Sequence, residues 1–446
     1  MFLKYLNNPL FICFYLLAFF AGSNFICIKV GNYHLFLGRV LTFVLPFLIV
    51  NKENISNLLK AKYAKLLIGI ILISIVWSGA SYFWAEDKTA VIVNCFYILS
   101  GSLFGLNLVL LAFDSKLKIT SNFINGWHLA WTGLVLFAYL EILFNFHIQG
   151  HFSTFLQKQQ AGIPAFDSVI SLFDGPNEFG VYLVVSLPFS IYFLYKKPVL
   201  FFVILMVTFQ FLYRNDAKFC IIALLFFLIS LIFTQFKILK TYYDSNFKKY
   251  IKFFWFVSLF MALILITNKL VVNKTEDYSI YSSFESNING LHLDKSVNIE
   301  DSLPSMTSFE IRWNLILNGY KFLVEHPILG IGAGNFEYHM ANEKGLLPTK
   351  SIVDSHNWFI QTFSENGVVI AGCYWLILFF LLITNAKYLI LPNPNNLQKF
   401  LAINLLLTFG IVSNVSSSFS PSPLNWSILC LIFVALQGNK EPNETV

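Results

Sequence analysis

Only three of the chain's thirty basic residues are arginine, Arg39, Arg214 and Arg312; the rest are lysine. A guanidinium presents a planar fork that holds a phosphate or carboxylate through two parallel hydrogen bonds, which an ammonium cannot do. Arginines kept in so lysine-biased a chain point to an anionic headgroup. The plainer reading is that each extends its charged head from an apolar surface into water. A second candidate is His356, one of eight histidines, within Asp354-Ser355-His356-Asn357-Trp358. Its imidazole titrates near neutrality and can accept a proton, although a capping or packing histidine would look the same in sequence. A third feature is the run His326-Pro327-Ile328-Leu329-Gly330-Ile331-Gly332-Ala333-Gly334-Asn335-Phe336. Its glycines imitate a dinucleotide fingerprint, but Asn335 stands where the third glycine belongs and no βαβ unit surrounds it. Gly330, Gly332 and Gly334 read instead as a tight connection, where a larger side chain would block a headgroup or strain the backbone.

The frame that must position these residues is lipid-embedded. Hydrophobic residues make up 57% of the 446 and charged residues 12%, too few to cover a soluble globule of this size. The expected fold class is an all-α polytopic membrane protein of about twelve transmembrane helices. Spans are expected near residues 9 to 29, 34 to 50, 65 to 83, 90 to 113, 122 to 146, 178 to 195, 199 to 213, 217 to 236, 251 to 272, 366 to 390, 400 to 417 and 421 to 438. No alternating pattern supports a β-barrel. Leu10 to Val30 is too long for a signal-peptide core and lacks a small-residue cleavage pattern, so it reads as a retained first span. The six cysteines lie in or beside apolar stretches without a CxxC pair, which argues against a disulfide framework and a zinc site. The net charge of +6 comes from lysines in links on one side of the spans, so it reports orientation rather than nucleic-acid binding. By the positive-inside rule both termini are cytoplasmic.

Two segments remain on the opposite, external side: about His147 to Asn177, and the long stretch from about Asn273 to Glu365. The expected division is therefore 1–272 for nine helices, 273–365 for a large external loop between helices 9 and 10, and 366–446 for the last three helices and a short tail. Lys274 to Ser305 is polar and turn-rich. Thr307-Ser308-Phe309-Glu310 then reads as a capping box. Phe309, Trp313, Ile316, Tyr320 and Leu323 follow on one face of a helix ended by Pro327. Such a helix is expected to lie on the membrane or over the mouths of the spans.

Arg312-Trp313, the glycine run, "SHNWFIQ" from Ser355 and Glu365-Asn366-Gly367 before a span together resemble the external-loop signature of the O-antigen ligase and O-antigen polymerase superfamily, the WaaL- and Wzy-type proteins. "GPNEFGVYL" from Gly175 and "YRNDAKF" from Tyr213 are similar to further family segments, and the likeness extends over most of the chain from about residue 170. The resemblance implies a GT-C-like membrane glycosyltransferase with a periplasmic active site on the cytoplasmic (inner) membrane. It would move a glycan from an undecaprenyl-pyrophosphate carrier to a hydroxyl of a lipid A core sugar or a growing glycan. It implies a metal-independent, inverting reaction without a cofactor. Arg214 and Arg312 match positions expected to bind the pyrophosphate, and His356 matches the proposed base. Two guanidinium forks are a reasonable substitute for a divalent ion on the leaving group, and Lys218 would add a point charge. The segment after His356 reads as a helix capped by Asp354 or Ser355, whose N-terminus would keep the imidazole neutral. Asp174, Asn177 and Asn357 are further candidate substrate contacts, with N-capping as the plain reading of the first two. Arg39 is the weakest candidate, since no family motif surrounds it.

A twelve-span transporter or flippase fits less well, because the spans carry almost no charge and the long cytoplasmic link of the major facilitator type is missing. Ligase and polymerase are closer. Some polymerases carry an Arg followed eleven positions later by Gly in both external loops, but here positions 225 and 323 are Leu. Protein-directed relatives often add a C-terminal region, and this chain stops soon after its last expected span. Both points tilt the reading towards a ligase.

Overall fold

The computed structural model describes residues 9–21, 27–30, 33–112, 121–144, 169–173, 175–215, 217–241, 308–342, 346–349, 352–390, 397–414 and 422–437. The expected span at 251–272, the loop up to 307 and Asp174 lie outside the described residues. Helices dominate what is described, and four of them are long and apolar enough to cross a membrane: Lys62–Phe83, Lys88–Ala112, Ile124–Phe144 and Trp358–Asn385. Shorter apolar helices include Val199–Arg214, Gln398–Val412 and Pro423–Gln437.

The helical class holds for the described residues, but the expected spans at 9–29 and 34–50 are interrupted by a short hairpin at the start of the chain. Helix α1 (Pro9–Phe20) stops early, and β1 (Cys27–Val30) pairs antiparallel with β2 (Tyr33–Phe36), Val30 opposite Tyr33. Gly31-Asn32 between them is a two-residue hairpin sequence, a signal masked by the apolar residues around it.

Close helix packing rests on small residues. Along α2 (Lys88–Ala112), Gly101 and Gly105 form a G-xxx-G face against α3 (Pro423–Gln437). A Cβ at Gly101 would come within 2.2 Å of the Trp426 ring, and one at Gly105 within 2.5 Å of the Cys430 sulfur. Without a hydrophobic driving force between helices in lipid, such close approach supplies the dispersion that holds them.

The helix carrying Arg312, α4 (Ser308–Glu325), turns one apolar face onto the protein and leaves outward the face expected to lie on the membrane or over the span mouths. Ile311, Leu315, Asn318 and Phe322 are buried, whereas Trp313 and Tyr320 are more than half exposed. Apolar residues occupy both faces, so periodicity alone could not choose. The deciding residue is Asn318, a polar side chain whose amide is satisfied inside. Trp313, Leu317, Tyr320 and Val324 form the outward apolar stripe.

Candidate functional site

Four sequence segments meet at one end of the bundle. The first is the turn between α5 (Pro198–Arg214) and α6 (Lys218–Thr241). Arg214 is the last residue of α5 and Lys218 the first of α6, and both are exposed. Asn215 caps α5 and clamps Val169 with two hydrogen bonds, donating to its carbonyl at 2.7 Å and accepting from its N–H at 2.8 Å. The second segment, 169–173, is held from the other side by buried Glu141, which accepts from Ser171 N–H at 2.8 Å. Glu141 is thus a charge within a helical segment that the sequence reading passed over, placed where it closes a turn.

This clamp feeds directly into α7 (Pro176–Lys196). Gly175 occupies its N-cap, so Asn177 sits inside the first turn and is not the cap. Gly180 lets α7 approach the α5–α6 turn, its Cβ position being 3.3 Å from the Cys220 sulfur. Gly180 of the GPNEFG segment packs on Leu212, Ala217 and Cys220 around the YRNDAKF turn, and Arg312 of α4 reaches the same turn. The Arg312 guanidinium lies 5.3 Å over the Phe219 ring. Its partial burial lowers its pKa, yet arginine stays cationic at any working pH. Three cations, Arg214, Lys218 and Arg312, therefore surround a single turn.

The same helix α4 holds the segment leading to His356. Asn314 donates to Pro348 O at 2.8 Å, and Asn318 donates to Leu347 O at 3.0 Å while accepting from its N–H at 2.9 Å. His356 is half-buried with φ +46°, a left-handed conformation uncommon outside glycine. The helix that follows, α8 (Trp358–Asn385), is capped by Asn357, which accepts from Ile360 N–H at 2.9 Å. This corrects the expectation that Asp354 or Ser355 would cap it. Buried Ser355 instead reaches Gln361 across 3.4 Å. Gly319 of α4 packs on Ile360, one turn into α8, joining the Arg312 helix to the helix that follows His356.

The glycine run is locked between two walls. Helix α8 breaks at Gly367 (φ +72°, ψ 172°). The break frees the Ser364 and Glu365 carbonyls to accept from Ile331 N–H at 2.9 Å and Gly332 N–H at 3.1 Å. The buried Glu365 side chain accepts from the Gln361 amide at 3.3 Å, with the Gly334 and Phe336 backbone nearby. On the other wall Asn335 bonds both backbone groups of Asp87, and Ala333 N–H donates to Ser81 Oγ at 3.1 Å. Gly330, Gly332 and Gly334 all have positive φ, and their Cβ positions fall against Glu365 O, Ala85 and Ala90 O respectively. Close packing on protein, with forced backbone geometry, is what these glycines serve here.

Arg39 belongs to none of these contacts: its guanidinium lies 4.7 Å over the Tyr97 ring of α2. Sequence reasoning passed over Asn215, Glu178, Phe219 and Glu365. The position of Glu365 within the matched "ENG" was the available signal for that residue.

No known protein-family profile matches the chain. Over 138 residues it is 26% identical to the "Teichuronic acid biosynthesis protein TuaE" of Bacillus subtilis (strain 168). The match takes in 30% of this chain and 28% of that protein, so the chain spans under a third of the relative's length.

Proposed function

We propose that the chain works in polysaccharide biosynthesis as a membrane glycosyltransferase of O-antigen ligase type. In this reading twelve helices span the cytoplasmic membrane with both termini inside, and residues 273–365 form the external catalytic loop. The donor is a glycan on undecaprenyl pyrophosphate, and the acceptor is a hydroxyl of a lipid-linked core sugar. The observation that carries the reading is that α4 does two jobs. It lays Arg312 on the turn bearing Arg214 and Lys218, and through Asn314 and Asn318 it holds the segment that ends at His356.

The chemistry follows from those placements. The acceptor oxygen attacks the anomeric carbon from the face opposite the carrier and forms the new glycosidic bond. The carbon–oxygen bond to the diphosphate breaks, and its electron pair stays on undecaprenyl pyrophosphate. Negative charge grows on the leaving oxygens, where Arg214 and Arg312 offer paired donors and Lys218 a point charge. His356 takes the acceptor proton, and Asn357 fixes the backbone on which it stands.

A second reading, a polymerase extending a growing glycan, is favoured by the relative's name, which places that protein in the making of a polysaccharide. Surface-polysaccharide gels of a deletion strain separate the two. Bare core with accumulated polymer supports the ligase, and core carrying a single repeat supports the polymerase. An unchanged gel would sink both.

A further inference from the structure

We propose that a cavity of about 420 Å³ beside the glycine run is a sugar-binding subsite for the acceptor glycan, an inference that rests on the transferase reading above. Its walls are Trp84 and Glu86 from the turn ahead of α2, His326 at the end of α4, Ile328 and Leu329 from the loop, and buried His339. The volume falls within the range of small-molecule sites.

The lining selects the ligand class. A pyranose has an apolar C–H face, which an indole and branched aliphatic side chains accommodate, and a rim of hydroxyls. Exposed Glu86 can accept from those hydroxyls, and the imidazoles can donate or accept. A lipid tail has no groups that match a carboxylate and two imidazoles on the walls, whereas a sugar's hydroxyls do. The loop wall is rigid, because Gly330 and Gly367 are locked against Glu365 O and Ile328 O.

Helix geometry assigns the cavity to the acceptor. Gly319, which packs on Ile360 of the helix that follows His356, lies midway along α4 between Arg312 and His326. At 1.5 Å per residue it is ~10 Å from each. The cavity is therefore ~20 Å along α4 from the cations, too far to hold the sugar joined to the pyrophosphate. Between the two, at Gly319, α4 packs on the start of the helix that follows His356, which leaves the cavity to the acceptor in this reading.

The test uses the full-length protein in detergent. The probe is the core oligosaccharide that mild acid releases from the producing strain's own lipid-linked surface glycan, the acceptor of the ligase reading. Saturation-transfer NMR is expected to show binding by the wild type and by His356→Ala. Affinity should fall about tenfold in Trp84→Ala and in Glu86→Gln. Ile328→Trp, which fills the cavity from an exposed rim position, should abolish binding and guards against misfolding of the Trp84 variant. In transfer assays the same changes should raise KM for acceptor and leave KM for donor unaltered. No binding by wild type, or wild-type binding by Ile328→Trp and Glu86→Gln, overturns the cavity assignment. Cavity-dependent binding by a wild type that transfers nothing would instead overturn the transferase reading and leave a glycan-binding cavity.

Discussion

The Arg312 guanidinium stands 5.3 Å over the ring of Phe219, so a residue of the loop helix is seated on the turn that bears Arg214 and Lys218. A cation–π contact of this kind contributes only about 0.5–1 kcal/mol at a partly exposed site, too little to explain the arrangement as a stability device. It does fix where the fork points. Arg312→Lys keeps the charge but loses the fork, and transfer is expected to drop about 10²–10³-fold with normal membrane insertion. Near-normal transfer by the lysine variant would show that a point charge suffices.

His356 can be tested without disturbing its backbone. Asparagine tolerates positive φ better than most residues, so His356→Asn should retain the native melting temperature while transfer falls about 10²–10⁴-fold. His356→Ala should lose transfer equally and lose some stability as well. Transfer by the asparagine variant at wild-type rate would remove His356 from the base role.

The glycines divide into those that the packing requires and those that it does not. At Gly330 a Cβ would lie 2.3 Å from Glu365 O with φ +71°, whereas at Gly372 nothing stands within 4 Å. Gly330→Ala should destabilise by about 1–3 kcal/mol or more, seen as a lowered melting temperature in detergent. Gly372→Ala, in a helix, should be neutral or slightly stabilising. Equal melting temperatures for the two variants would contradict the locked-loop geometry.

Glu365 ties the loop to α8 through its carbonyl, which accepts from Gly332 N–H, and its buried side chain accepts from Gln361. Glu365→Ala leaves the buried Gln361 amide without this acceptor, at about 1–3 kcal/mol, and should lower the melting temperature beyond Glu365→Gln, which keeps a carbonyl acceptor. If alanine and glutamine variants melt together, the side-chain bond to Gln361 adds no stability.

Much about this chain was legible from sequence because it depends on local, additive quantities. Long uncharged apolar runs can be satisfied only as helices in lipid, and four described helices are long and apolar enough to cross a membrane. The capping sequence before residue 310 and Pro327 bounded α4 to within a residue or two of Ser308–Glu325. What sequence could not decide was which groups touch. Which face of α4 turns onto the protein could not be read because both faces are apolar, and the Asn318–Leu347 bonds lie on the side where Ile311 and Leu315 are buried. Likewise the glycine run, Asp87 and Glu365 are far apart in the chain. They meet because a helix broken at Gly367 exposes carbonyls that the loop amides satisfy. The joining of Arg312 to the turn at 214–219 is of the same kind: it depends on three helices closing over small residues, a long-range balance of packing and unsatisfied hydrogen bonds that no local pattern encodes.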